Sequence, residues 1–207
     1  MALLSEALIR SDFSAAPITR PGRRPRGWVR GLILALGLGL VTSSVPAQPT
    51  AARDYEVKAG FLVKFTQYAA WPSNTFHSST TPVVIGVRGG EPLFKQLERE
   101  AAAVTGSRPV EVRQLNTVDD ATGCHVVYIG MSDGQETGWF DALKGKPILT
   151  VGESSAAIAH GAVMCFVLQN KNVRFEASLA AAAENRLGLD ERMLRVASRV
   201  YKRYPGN

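Results

Sequence analysis

Cysteine and histidine are scarce in this chain of 207 residues: Cys124 and Cys165, and His77, His125 and His160. Two cysteines are too few for a disulfide scaffold, although one bridge could form in an oxidising compartment. The histidines are scattered, and the sequence has neither H-x-x-x-H nor C-x-x-C, so the familiar metal-ligand spacings are absent. No G-x-G-x-x-G occurs. Nor is there an apolar run long enough for a membrane span: Gly31 to Val41 covers 11 residues, where a span needs about 20.

That short run has a context. Arg20, Arg23, Arg24, Arg26 and Arg30 precede it, and SSVPAQ follows, with Val45 and Ala47 at the −3 and −1 positions of a small-residue cleavage site. A basic region, a short apolar region and small residues at the cut make a secretory signal. The expectation is a signal peptide over 1–47 with a long basic start, cleavage after Ala47, and a domain over 48–207. No cysteine follows the cut, which argues against a lipoprotein. After cleavage no stable membrane insertion is expected, and the destination is the periplasm.

The net charge of +6 is mostly export chemistry. Residues 1–47 hold six arginines against Glu6 and Asp12, so +4 leaves with the leader and +2 remains. No basic stripe is visible in the remainder, so no nucleic-acid partner is expected.

Behind the leader, Tyr55 to Trp71 is rich in apolar side chains but contains Lys58, Lys64 and Gln67. Two central lysines would cost several kcal/mol in lipid. Val57, Phe61, Leu62, Phe65, Tyr68 and Ala69 instead fall at helical spacing and form one stripe. Asp54 suits the N-cap or first turn, and Trp71-Pro72 ends the helix. This is the pattern of an amphipathic core helix, with Trp71 as a core plug.

The rest alternates. Strands are expected at 82–87, 110–115, 124–129 and 147–151, helices at 91–103 and from 132 through 143, a short helix or loop at 154–160, and a short helical turn at 118–122. Runs at 162–168 and 173–177 flank Gln169-Asn170-Lys171-Asn172 and read as a β-hairpin. The tail reads as two helices, 178–187 and a second capped by Asp190, with Met193, Leu194, Val196, Ala197 and Val200 on its apolar side. Strands alternating with helices imply parallel pairing. The fold class is therefore α/β: a single-domain three-layer sandwich, its sheet mostly parallel and five- or six-stranded, with the antiparallel hairpin at one edge. In that order CHVVYI and VMCFVL are separated by PILTV, too far for Cys124 and Cys165 to bond, so both are expected as buried free thiols.

Motifs that carry chemistry are weak. Gly152-Glu153-Ser154-Ser155-Ala156 resembles a nucleophile elbow, but Ala156 replaces the last glycine and only His160 follows. Gly86-Val87-Arg88-Gly89-Gly90 suits a tight strand-to-helix turn, since Glu91-Pro92 at the helix start opposes an anion. The central strand ends without the aspartate that receiver-type phosphotransfer requires. No catalytic residue, cofactor or metal site is expected, and the chain reads as a binding protein rather than an enzyme.

Four features in order resemble the YfiR-like family of exported proteins. They are the helix closed by Trp71-Pro72 and followed by Phe76; Cys124-His125-Val126-Val127-Tyr128-Ile129; Leu149-Thr150-Val151; and Val173-Arg174-Phe175-Glu176 followed by Ala181-Ala182, Leu187-Gly188-Leu189 and Leu194. The resemblance implies a periplasmic, often homodimeric regulator. Its implied partner is a membrane-anchored signalling protein, either a diguanylate cyclase restrained through its periplasmic sensor domain or a sensor kinase. A periplasmic small-ligand-binding or transport accessory protein is the alternative. Candidate contact residues are the hairpin tip (Asn170, Lys171, Asn172) and the arginines of the tail (Arg186, Arg192, Arg195). Arg174 and Glu176 share one face of a strand, as a structural pair or as part of that contact.

Overall fold

Helix α1 (Thr50–Tyr68) comes first among the residues that the computed structural model describes: 50–105, 108–130 and 136–205. The leader expected over 1–47 lies outside them. α1 starts earlier than its pattern suggested, so Asp54 sits inside the helix rather than at its cap. Ala59, Leu62, Val63 and Phe65 are its buried stripe. It ends where the chain turns into a two-residue strand, β1 (Ala69–Ala70).

The remaining elements follow as β2 (Val83–Arg88), α2 (Glu91–Ala102), β3 (Val110–Leu115), the 3-10 turn η1 (Val118–Ala121), β4 (Val126–Ile129), α3 (Glu136–Leu143), β5 (Leu149–Gly152), α4 (Ser155–Ala159), β6 (Met164–Gln169), β7 (Asn172–Ser178), α5 (Leu179–Glu184), β8 (Gly188–Leu189), α6 (Glu191–Leu194) and β9 (Arg199–Tyr201). The main sheet has seven strands in the order β3-β2-β4-β5-β6-β7-β9. Every pair is parallel except the β6–β7 hairpin. The architecture is mixed α/β in three layers, as the alternation of elements implied, with one strand more than expected.

That extra strand corrects the reading of the tail. α6 stops at Leu194, and Val196 is left 59% exposed. Ser198 then donates both its N–H and its hydroxyl to the Phe175 carbonyl, at 2.8 and 2.9 Å. This pulls Arg199–Tyr201 alongside β7 as an edge strand. The hairpin is therefore not the edge of the sheet. β8 pairs antiparallel with β1, Ala69 opposite Leu189, and closes a second, two-stranded sheet beside the end of α1.

Two apolar layers sandwich the main sheet. On one face α1 and α2 pack with Ile85, Val87, Tyr128, Phe166 and Phe175. Four phenylalanines hold α1 there: Phe61 and Phe65 meet Phe166 and Phe175 with ring centroids 5.1–6.2 Å apart. On the other face Trp139, Phe140 and Leu143 of α3 and Ile158 of α4 cover Val127, Ile129 and Cys165. Gly86 marks how tightly this layer meets β2. A Cβ there would stand 2.6 Å from Leu115 Cδ1 and 3.0 Å from Cys124 Sγ, so no larger residue fits without movement. Cys124 and Cys165 are both buried and free, with β5 between the strands they adjoin.

Candidate functional site

The β6–β7 hairpin reaches beyond its neighbours. β5 pairs with β6 only as far as Cys165, and β9 pairs with β7 only from Glu176 onward. Phe166 to Phe175 thus form a two-stranded arm with no strand of the described residues on either flank. Its tip is a two-residue turn closed by Gln169 opposite Asn172, with Asn170 at φ 52° and Lys171 at φ 62°. Two successive left-handed residues make a type I′ turn, whose twist matches that of the flanking strands. Asn172 Nδ2 donates to the Asn170 carbonyl at 3.0 Å and stiffens it. Asn170, Lys171, Asn172 and Arg174 are exposed, and so is Leu168, at 68%. The exposed leucine was missed in the sequence, because an apolar residue in a strand reads as core.

Glu176 belongs to the interior, and its proposed place in a contact surface is corrected here. It is 7% exposed. Its Oε2 accepts the hydroxyls of Ser155 at 2.9 Å and Tyr201 at 3.0 Å, and the Cys165 sulfur lies 3.9 Å away. The carboxylate thus ties α4 and β9 to β7. Arg174, two residues earlier on the same side of the strand, lies on the exposed arm and forms no pair with it. Burial and the nearby Glu176 carboxylate together push the Cys165 thiol up to about 12.

The tail arginines sit elsewhere. β7 is seven residues long, so its two ends lie about 20 Å apart. The hairpin tip adjoins one end, and α5, followed by Arg186, adjoins the other. Asp190 N–H donates to the Tyr68 carbonyl at 3.0 Å, which seats the start of α6 at the end of α1. Arg192 is held in place: its Nε and Nη2 donate to both oxygens of Asp190, and its guanidinium lies 5.2 Å over the Tyr68 ring. These hydrogen bonds hold the Asp190 carboxyl down near 2. Arg195 faces Glu191 at 4.0 Å, and Arg186 donates to the Gly145 carbonyl at 3.1 Å. The structure therefore separates the expected contact residues into two surfaces.

Two polar clusters went unread in the sequence. Lys58 on α1 pairs with Glu153, which follows β5, and Tyr128 donates its hydroxyl to the same carboxylate. Burial, followed by the Glu153 charge, drives the Tyr128 phenol far above its ordinary range. The second cluster surrounds His125. Its Nδ1 accepts the Val84 N–H at 3.1 Å, Phe76 stacks on its face at 4.6 Å, and Trp71 meets it edge-on at 6.2 Å. Trp71 is only partly buried, so it is a lid on this corner rather than a plug in the core.

The elbow-like segment has structural employment. Ser154 is the N-cap of α4, Ser155 is bound to Glu176, and exposed His160 caps the other end of α4. Among the described residues no group of three or more His, Cys, Asp or Glu could hold a metal ion.

A family model described as YfiR/HmsC-like matches residues 55–198. The chain belongs to this family. YfiR-like proteins are periplasmic regulators of diguanylate cyclases rather than enzymes, and among the described residues no helix is long and apolar enough to cross a membrane. Similar solved structures are distant. A domain from Streptococcus pneumoniae, described as an ABC domain in complex with L-Trp, is 13% identical with a TM-score of 0.47, over 69% of this chain and 60% of that one. A conserved domain protein from Vibrio cholerae O1 biovar El Tor is 11% identical with a TM-score of 0.48, over 70% and 60%. The YfiR-like chain thus spans about three fifths of the length of both, and these likenesses carry no functional inference.

Proposed function

We propose that this YfiR-like protein is exported by a signal peptide cleaved after Ala47, and that it restrains a membrane-anchored diguanylate cyclase by binding its periplasmic part. The observation that carries the reading is the projecting β6–β7 arm. It presents Leu168, 68% exposed, on the face it shares with Phe166 and Val173, Arg174 on the opposite face, and Lys171 at the stiff turn between them. An exposed apolar anchor on one face, with a cation at the turn and another on the reverse face, suits a partner that clasps the arm with an apolar pocket on one side and acidic residues on the other. Between the Phe175 carbonyl, which Ser198 occupies, and the turn, the arm also presents backbone edges that no strand of the described residues pairs, to which an extended partner segment can add. The arginines at the far end, Arg192 and Arg195, are already paired within the fold, so they are the secondary surface.

The test is genetic. The gene is deleted, cyclic-di-GMP is measured, and the strain is complemented with wild type, Leu168→Asp/Arg174→Glu or Arg192→Glu/Arg195→Glu at matched periplasmic levels. The nucleotide is expected to rise on deletion and to be restored by wild type and by the Arg192/Arg195 variant, but not by the arm variant. An unchanged nucleotide on deletion rejects the cyclase and leaves a sensor kinase or a transporter as the partner. Full rescue by the arm variant rejects the arm.

A further inference from the structure

A cleft of about 490 Å³ opens at the amino-terminal edge of the parallel strands, where β4 and β5 begin. That volume lies within the range of small-molecule sites. Val118, Leu143 and Ile148 supply apolar wall, and the basic groups are His125, Lys146 and Arg186, beside the neutral polar side chains of Asn74, Thr75 and Thr122. No acidic side chain lines it among the described residues.

Three features of these polar groups point to a ligand. First, His125 is 9% exposed, and its Nδ1 is occupied by the Val84 amide. A neutral imidazole that accepts at Nδ1 carries its proton on Nε2. Among the described residues that N–H has no partner, and the residue lines the cleft. Second, Arg186 stands at φ 57°, just past the end of α5. Leu187 N–H bonds the Ala182 carbonyl at 2.8 Å and Arg186 N–H the Ala183 carbonyl at 3.0 Å, the double bond of a Schellman end whose left-handed position normally takes glycine. An arginine held in an unfavourable backbone conformation is a reason to ask what its side chain does. Its guanidinium is anchored on the Gly145 carbonyl, beside Lys146. Third, the exposed Lys146 ammonium has no partner among the described residues.

Two formal positive charges, neutral donors and no carboxylate balance a dianion better than a monoanion. The volume and the apolar wall leave room for more than the anion itself. We propose that this cleft binds a phosphate monoester with a compact apolar body: Arg186 and Lys146 hold the phosphate, His125 Nε2–H donates to it, and the body lies against Val118, Leu143 and Ile148.

The test titrates the purified protein with phenyl phosphate, inorganic phosphate and benzoate at constant ionic strength, read by amide and imidazole NMR. Phenyl phosphate is expected to move the signals of Gly123, His125 and Lys146. Benzoate, with the same body and one charge fewer, is expected to bind at least tenfold more weakly, and inorganic phosphate between the two. Arg186→Gly puts the preferred residue into the left-handed position, so it should melt at or above the wild-type temperature while binding at least tenfold more weakly. Lys146→Gln, on an exposed side chain, provides the same measurement independently. Undiminished binding by both variants, benzoate as tight as phenyl phosphate, or shifts that sodium chloride alone reproduces would each overturn the assignment. So would the absence of any response to phenyl phosphate at millimolar concentration.

Discussion

Lys58 and Glu153 meet as an ion pair, the ammonium 2.7 and 2.8 Å from the two carboxylate oxygens, although 95 residues separate them in the chain. The side chains are only 13% and 17% exposed. The pair fastens α1 to the carboxyl end of β5. Removing one member leaves the other charge unpaired near the core, which costs about 3–5 kcal/mol for a fully buried pair and less where some solvent reaches it. Glu153→Gln is therefore expected to destabilise the protein measurably in urea. The double variant Lys58→Met/Glu153→Gln should be more stable than Glu153→Gln alone, because no uncompensated charge remains. A double variant no better than the single one would show that the pair acts through something other than its charges.

Trp71 gives a different test. Its Nε1 is buried with no hydrogen-bond partner among the described residues. Trp71→Phe keeps the contacts with Phe76 and His125 and removes that unsatisfied donor, so it should change stability by less than about 1 kcal/mol. Trp71→Ala removes a partly buried aromatic and should cost roughly 2–3 kcal/mol, below the ~3–5 kcal/mol of a fully buried one. Thermal melts of the two variants check the order. Equal losses would mean that the indole N–H is satisfied in solution.

His125 makes stability depend on pH. Burial first, and then the Arg108 charge, hold its pKa below the usual value of about 6.5. The unfolded chain therefore takes up this proton at a higher pH than the folded one. Stability is expected to fall as pH drops below about 6.5, and to level off below the folded pKa until the carboxylates titrate. Protonation would also cost the Val84 N–H its acceptor. Urea midpoints measured from pH 7.5 to 5 should show this slope in the wild type and a flatter one in His125→Gln. Matching slopes would place the titration elsewhere.

Lys171 occupies the second left-handed position of the hairpin turn, where Asn-Gly is the favoured pair. Lys171→Gly should relieve the strain and raise stability by about 0.5–1 kcal/mol. If the lysine serves the partner, the same variant should restore less cyclic-di-GMP control than wild type. A more stable protein with full control would remove Lys171 from the contact.

The two thiols should be silent in the native state. Cys124 is raised by burial, and Cys165 is pushed up to about 12 by burial and the Glu176 carboxylate. Little thiolate exists at pH 8, and both residues are buried, 5% and 0% exposed. Dithionitrobenzoate should therefore label nothing until denaturant is added, and then both. Rapid native labelling would show that this region opens without global unfolding.

Much of this protein is legible in its order of residues alone, because short-range periodicity reports burial. Val83 to Val87 and Val126 to Ile129 are strands that every packing of this chain would hide, and the stripe of Leu62 and Phe65 marks α1 as plainly. The Asn-Lys turn announced a hairpin. Other features depend on partners far away in sequence. β1, β8 and β9 have two or three residues each and carry no pattern of their own; they are strands only because Ala69 meets Leu189 and Glu176 meets Arg199. Alternation placed Arg174 and Glu176 on one side of β7, yet only the arrival of β9 and α4 over Glu176 made it interior, while β9, which pairs with β7 only from Glu176 onward, left Arg174 on a projecting arm. Local sequence determines which residues seek cover. Tertiary structure decides which receive it, because hydrogen bonds and charge pairs form between groups that folding brings within about 3 Å, whatever their distance along the chain.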